Sequence, residues 1–238
     1  MFALRGVLLD VDGTLIDSNL AHALSFQAAL EMAGYRHPVE QILPLIGMGG
    51  EKLLGELDSK LTPQQITRIG KIKQELFVLE HLPSLKPFPG AAELVQQLAR
   101  NKIPIAIASS ASETELVPTL QTIGIAFLLR TAVKSSEVVD SKPSPDILEA
   151  ASRQLNISPT ELVLIGDTPY DIAAASRIDM PSIGFLCGGW SVQALEGAEE
   201  FYTGPWDLLK KWETSLLGRF SKGTSEPLIL KAGSAVGH

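Results

Sequence analysis

The stretch Gly6-Val7-Leu8-Leu9-Asp10-Val11-Asp12-Gly13-Thr14 decides the fold. Gly6 to Leu9 is a short unbroken apolar run, the pattern of a buried strand. Two carboxylates, Asp10 and Asp12, leave its C-terminal edge, where open α/β sheets bind ligands. They project to the same side if the strand continues. Close carboxylates raise each other's pKa unless a cation compensates. A hard, oxygen-seeking cation such as Mg²⁺ is the natural compensation. Gly13 permits a tight turn, and Thr14 offers a hydroxyl and a backbone N–H. Asp and Gly are also ordinary turn residues, so Asp10 to Thr14 has a second, less favoured reading as an acidic turn closing a strand.

Working outward, Asp17 to Gly34 carries Leu20, Ala23, Leu24, Ala28 and Leu30 at helical spacing, with Asp17 or Ser18 as N-cap. No convincing strand lies between Pro38 and Leu82. A loop, Gly47-Met48-Gly49-Gly50, precedes Leu53, Leu54 and Leu57. Thr62-Pro63 opens a further helix, Thr62 as cap and Pro63 at the first position. Ile66, Ile69, Ile72, Leu76 and Leu79 are expected to carry it toward Leu82. The proline-rich Pro83 to Gly90 reads as a hinge. Beyond it helix and strand alternate: helices at Ala91 to Leu98 and Ile147 to Leu155, strands at Pro104 to Ala108 and Leu162 to Ile165. Such alternation predicts an α/β fold, a Rossmann-like, doubly wound parallel sheet. The expected core spans 1–15 and 87–220, interrupted by a helical insert over 16–86. The tail, 221–238, is rich in small and polar residues and is expected to be loosely held.

Bulk properties narrow the classes. At 238 residues the chain can bury a full core, and 45% hydrophobic with 20% charged residues is ordinary globular composition. A formal net charge of −7 disfavours nucleic acid or an anionic membrane as partner. The one cysteine, Cys187, excludes an internal disulfide and fits a reducing cytoplasm; it reads as a buried structural thiol. Met1 to Arg5 shows no signal-peptide pattern, and no apolar run approaches the roughly 20 residues that cross a bilayer. His22, His37, His81 and His238 are scattered without metal-ligand spacing. Trp190, Trp206 and Trp212 read as packing anchors.

Three further sites follow apolar runs. Ser109 and Ser110 end Ile105-Ala106-Ile107-Ala108; a hydroxyl there holds a phosphate oxygen or caps the next helix. Lys142 stands before Pro143 and Pro145, which stiffen its turn; it is either aimed at a transferring phosphoryl group or a solvated surface lysine. Gly166-Asp167-Thr168-Pro169-Tyr170-Asp171 follows Leu162 to Ile165. It places Asp167 at a strand end as Asp10 is placed, with Asp171 near the first turn of a helix, where acidic residues are favourable in any case. Jointly, carboxylates, a hydroxyl and a lysine in this order are the parts for Mg²⁺-assisted phosphoryl transfer.

With these four ordered motifs the chain resembles the haloacid dehalogenase superfamily of phosphotransferases. The insert resembles that family's helical cap of the first type, and Ile46-Gly47-Met48-Gly49 the specificity loop of its phosphoglycolate phosphatase-like branch. The resemblance implies that Asp10 attacks phosphorus to form an aspartyl-phosphate. Asp12 would protonate the leaving alcohol and then activate water. Asp10, the backbone carbonyl of Asp12 and Asp167 would hold Mg²⁺, with Asp171 ordering the metal's waters or Lys142. Thr14, Ser109 and Ser110 would bind phosphoryl oxygens, and Lys142 would offset charge. Phe26, Gly47, Met48 and Lys52 are the cap candidates for substrate contact.

The expected reaction is hydrolysis of a small phosphate monoester. Alternatives are a sugar phosphomutase, a phosphonatase or a receiver-type signalling module. Mutases of this branch carry a cap arginine where Gly50 aligns. Phosphonatases lack an acid at Asp12, although Met48 to Lys52 faintly echoes their cap motif. Receivers have neither Asp12 nor an inserted cap.

Overall fold

The computed structural model describes residues 4–133 and 140–221. The expected loose tail lies, from residue 222 on, outside the described residues.

Six parallel strands build one sheet: β1 Gly6–Leu9, β2 Ile105–Ala108, β3 Ala132–Val133, β4 Leu162–Gly166, β5 Ser182–Phe185 and β6 Glu200–Tyr202. Their spatial order is β3-β2-β1-β4-β5-β6. The chain winds outward from β1 to β3, then returns to the other side of β1. Consecutive winding therefore reverses between β1 and β4, and open α/β sheets bind ligands at such a crevice.

Alternation along β1 explains the layers. Val7 and Leu9 enter one apolar cluster with Leu94, Val95 and Leu98 of one helix and Leu116 and Leu120 of another. Leu8, between them in sequence, enters a second cluster with Ile147, Leu148, Ala151, Ala174 and Ala175. Successive side chains of a strand point to opposite faces, so an unbroken apolar run needs a helical layer on each.

Between β1 and β2 the chain is helical. It contains α1 Asn19–Met32, α2 Val39–Ile42, α3 Gly50–Leu57 and α4 Pro63–Leu76. These gather a third cluster, including Phe26, Leu30, Ile42, Leu53, Leu54 and Ile69, separate from the two that flank the sheet. Thr62 caps α4 with a reciprocal bond to Gln65, and Pro63 occupies the first turn. The α4 pattern does not run on to Leu82 as expected: a wider π turn, Phe77–His81, follows Leu76, and Leu79 is 75% exposed. Inserting a π turn rotates the apolar face, so Phe77 is buried where Leu79 is expected. Leu20 is likewise exposed, because it lies off the buried stripe of α1. Trp212 is buried, whereas Trp206 is half exposed and is no packing anchor.

The chain enters and leaves this insert side by side. Ile16 pairs with Pro87, Asp17 N donates to Lys86 O at 3.2 Å, and Phe88 N donates to Leu15 O at 2.9 Å. Beyond them follow α5 Ala91–Arg100, α6 Glu113–Ile123, α7 Asp146–Leu155, α8 Pro169–Ser176, α9 Pro205–Lys210 and α10 Leu216–Ser221.

Candidate active site

Strand register brings the acids together. Leu9 of β1 pairs with Ile165 of β4, and Asp10 N donates to Ile165 O at 2.9 Å. Asp10 and Asp167 therefore leave neighbouring strands at nearly the same level. Gly13 turns the loop with φ +76°, and a Cβ there would collide with the Asp167 carboxylate and the Asn19 amide. Only glycine permits both the left-handed backbone and that approach.

Asp10, Thr14, Ser109, Lys142, Asp167 and Asp171 are all buried. Lys142 Nζ donates to Asp10 Oδ1 at 2.6 Å and lies 2.7 Å from Asp171 Oδ1. Thr14 Oγ1 donates to Asp167 Oδ1 at 2.7 Å and to Asp10 Oδ2 at 3.2 Å. The other Asp167 oxygen accepts from Asn19 Nδ2 at 3.0 Å, an amide that also donates to Gly188 O. Asp171 sits in the first turn of α8. Its Oδ2 accepts from Thr168 N at 3.1 Å and Thr168 Oγ1 at 2.6 Å, closing a capping box and leaving Oδ1 for Lys142.

Burial sets the charges. It raises Asp10 to about 7, with Lys142 pulling down and Asp171 pushing up. It raises Asp167 well above the carboxyl range, and the negative neighbours Asp10 and Asp171 add to the effect. Burial alone would lower the Lys142 ammonium, but Asp10 and Asp171 outweigh it and hold it above the ordinary lysine range.

Asp12 stands apart. Its Oδ1 accepts from Ser18 Oγ at 2.6 Å and lies 2.9 Å from His22 Nε2. Burial would raise this carboxyl, but His22 and the hydrogen bonds outweigh it and hold it at about 2. Asn19 and His22 escape a reading of spacing. His22 lies one helical turn beyond Ser18, on the same face of α1, which is the weak signal that relates it to Asp12.

One carboxylate oxygen from each of Asp10, Asp167 and Asp171 lies within 4.8 Å of the others. An all-oxygen, acidic and buried donor set suits a hard divalent cation such as Mg²⁺. The Asp12 carboxylate is not in this group among the described residues, because Ser18 and His22 hold it.

A cavity of about 960 Å³ opens above Asp10 and Asp12, between insert and sheet. Gly47, Met48, Lys52, Phe26, Ser109 and Ser110 all line it. Ser110 Oγ is buried without a hydrogen-bond partner, whereas Ser109 Oγ accepts from Ala111 N at 3.1 Å. Neither serine caps α6; Ser112 does. Gly47 packs on Thr168, where a Cβ would lie 2.7 Å from Cγ2. Tyr170 OH donates to Pro44 O, and Gln74 Nε2 to Ser112 Oγ, both at 2.7 Å, which seats the insert on the sheet.

Residues 7–185 match the family model of haloacid dehalogenase-like hydrolases. The chain belongs to this family. Two curated relatives are a phosphoglycolate phosphatase of Escherichia coli strain K12 and the pyrophosphatase PpaX of Oceanobacillus iheyensis. The first is 26% identical over 211 residues, 78% of this chain and 82% of the relative. The second is 24% identical over 200 residues, 84% and 90% of the two. Among solved structures, a hydrolase from Pseudomonas syringae superposes with TM-score 0.84 at 27% identity, over 88% of this chain and 98% of that one. A β-phosphoglucomutase from Clostridium difficile superposes with TM-score 0.78 over 92% and 98%; at 18% identity it shows a shared fold. This haloacid dehalogenase-like hydrolase thus has the family's α/β fold with a helical insertion after β1.

Proposed function

We propose that this hydrolase is a Mg²⁺-dependent phosphatase that cleaves a small phosphate monoester through an aspartyl-phosphate. The observation that carries the reading is the division of labour between two carboxylates on one loop. Asp10 is fixed between Lys142 and Thr14, beside Asp167 and Asp171, while Asp12 is held away from them by Ser18 and His22. Two carboxylates in different environments can take different roles.

Asp12, ionised in the resting site, takes up a proton from water as the ester binds. Asp10 attacks phosphorus, and the bond to the leaving oxygen breaks as Asp12 passes that proton to it. Asp12, now ionised, takes a proton from water, which attacks the acyl-phosphate and releases phosphate. Lys142 keeps Asp10 oriented and offsets charge on the phosphoryl oxygens. The unpartnered hydroxyl of Ser110 offers those oxygens a hydrogen bond. Asp10, Asp167 and the backbone carbonyl of Asp12 would hold Mg²⁺, with Asp171, engaged by Thr168 and Lys142, ordering Lys142 or the metal's waters. The ion's charge, when bound, would let the carboxylates stay ionised and polarise the phosphoryl group. The insert serves as a cap that keeps bulk water from the site. The single cysteine fits the reducing cytoplasm proposed from the sequence.

The test is phosphate release with Mg²⁺ from small monoesters, with Asp10→Asn as control. Release by the wild type and its loss in the variant support the reading. Equal release by both overturns the nucleophile assignment. A rearranged sugar phosphate in place of free phosphate overturns hydrolysis in favour of a mutase.

A further inference from the structure

We infer that the leaving alcohol is uncharged and partly apolar, so that esters bearing a second anionic group are poor substrates. This rests on the phosphatase reading above and narrows it to a substrate class.

The argument comes from the charges on the cavity wall beyond the nucleophile. Among the described residues, the cavity is lined by two lysines, Lys52 and Lys73, and each is already matched to an acid of the core. Lys52 Nζ lies 3.0 Å from both carboxylate oxygens of Asp140 and donates to Ser141 O at 3.3 Å. Lys73 Nζ lies 2.5 Å from Glu115 Oε1, and both side chains are buried. The ammonium also stands 4.9 Å from the Phe26 ring centroid and 5.3 Å from that of Phe77. Burial opposes ionisation of Glu115, but Lys73 outweighs it and keeps the carboxyl below its ordinary range. His22, the remaining basic side chain on this wall, faces Asp12. Setting aside Asp10, which Lys142 offsets, the described residues of the lining carry four acids, Asp12, Glu51, Glu115 and Asp140, against three basic side chains, Lys52, Lys73 and His22.

A carboxylate or second phosphate on the leaving group would therefore enter an acid-rich space. To gain a cation it would have to draw Lys52 away from Asp140 at the cavity rim, or Lys73 away from Glu115, which leaves a buried carboxylate without its partner. Like charges brought together in this way select strongly against a ligand. An uncharged alcohol meets no such cost. Phe26, Ile46, Met48 and Leu54 offer it apolar contact, and Thr67 and Gln74 offer hydrogen-bonding groups to hydroxyls.

The experiment compares matched esters with Mg²⁺: phenyl phosphate against 4-carboxyphenyl phosphate, and glycerol phosphate against phosphoglycolate. We expect kcat/KM to favour the uncharged member of each pair by at least about tenfold. Glu115→Gln frees Lys73 while keeping the side-chain shape, and should narrow that ratio by about tenfold. Equal or better turnover of the anionic members by the wild type overturns the inference and leaves the phosphatase reading intact. An unchanged ratio in a folded Glu115→Gln protein overturns the role of the Lys73–Glu115 pair. Should that variant not fold, the wild-type comparison decides alone. No phosphate from any ester overturns the phosphatase reading, and this inference with it.

Discussion

His22 Nε2 lies 2.9 Å from Asp12 Oδ1, and its imidazole stacks on Phe77 with ring centroids 3.9 Å apart. His22 and Phe77 belong to the insert, Asp12 to the loop after β1. The carboxylate proposed to move protons is thus positioned by the insert, and the seating of one fixes the other. His22→Ala is expected to lower kcat on the order of 10²-fold with little change in KM, because small displacements of a reacting group cost that much. Loss of His22 also removes the largest of the contacts that hold Asp12 at about 2, leaving the Ser18 hydrogen bond. The acid limb of the pH–rate profile should then move to higher pH, since activation of water needs the ionised carboxylate. An unaltered kcat and profile would reduce His22 to a packing residue.

Lys142 touches both Asp10 and Asp171 from a buried position. Lys142→Ala is expected to lower kcat by about 10²- to 10³-fold, the usual cost of removing one charged donor aimed at a reacting group. Steady-state kinetics on one ester would show it. A rise in KM at constant kcat would mean that Lys142 contributes to binding alone.

Metal and pH should act together on stability. Asp10 is raised to about 7 by burial, and Asp167 is raised as well. A carboxyl whose pKa is raised on folding stabilises the fold fully below its unfolded value, near 3.8. That contribution disappears as pH rises through about 7. Mg²⁺ bound at the ionised carboxylates would restore it. At about 100 times its Kd, Mg²⁺ should raise Tm by about 5–10 °C at pH 8 and by clearly less at pH 5. Thermal melts that show equal shifts at both pH values would place the metal elsewhere.

Cys187 Sγ lies 3.4 Å from Gly13 O, at the foot of the Asp167 site. Burial, with the Asp167 charge adding, pushes its thiol up to about 12. At pH 8 iodoacetamide should alkylate it about 10³-fold more slowly than a free thiol, and the rate should go on rising about tenfold per pH unit up to about pH 12, where a free thiol has long levelled off. Rapid labelling at pH 8 would contradict this environment.

The central strands were legible because each is a short apolar run buried on both faces, and such runs are local. β3 and β6 escaped this reading, the former having only two residues and the latter, Glu200–Tyr202, being half exposed along two of its three. Thr62-Pro63 announced a helix start by chemistry confined to one turn. Leu79 misled because a π turn changes the helical phase, and no residue type in that stretch marks it.

Asn19 was missed for a different reason: its amide meets Asp167, 148 positions away, and a lone Asn on a helix carries no sign of such a partner. By itself, then, the sequence determined the layer architecture, the loops that follow each strand and the identity of the acids, hydroxyls and lysine on them. These depend on neighbours along the chain. Tertiary structure alone decided that His22 meets Asp12, that Lys73 meets Glu115 and that Lys52 meets Asp140. Those pairings arise where the insert settles on the sheet. Charge complementarity between two surfaces is fixed by that docking, not by the spacing of residues within either one.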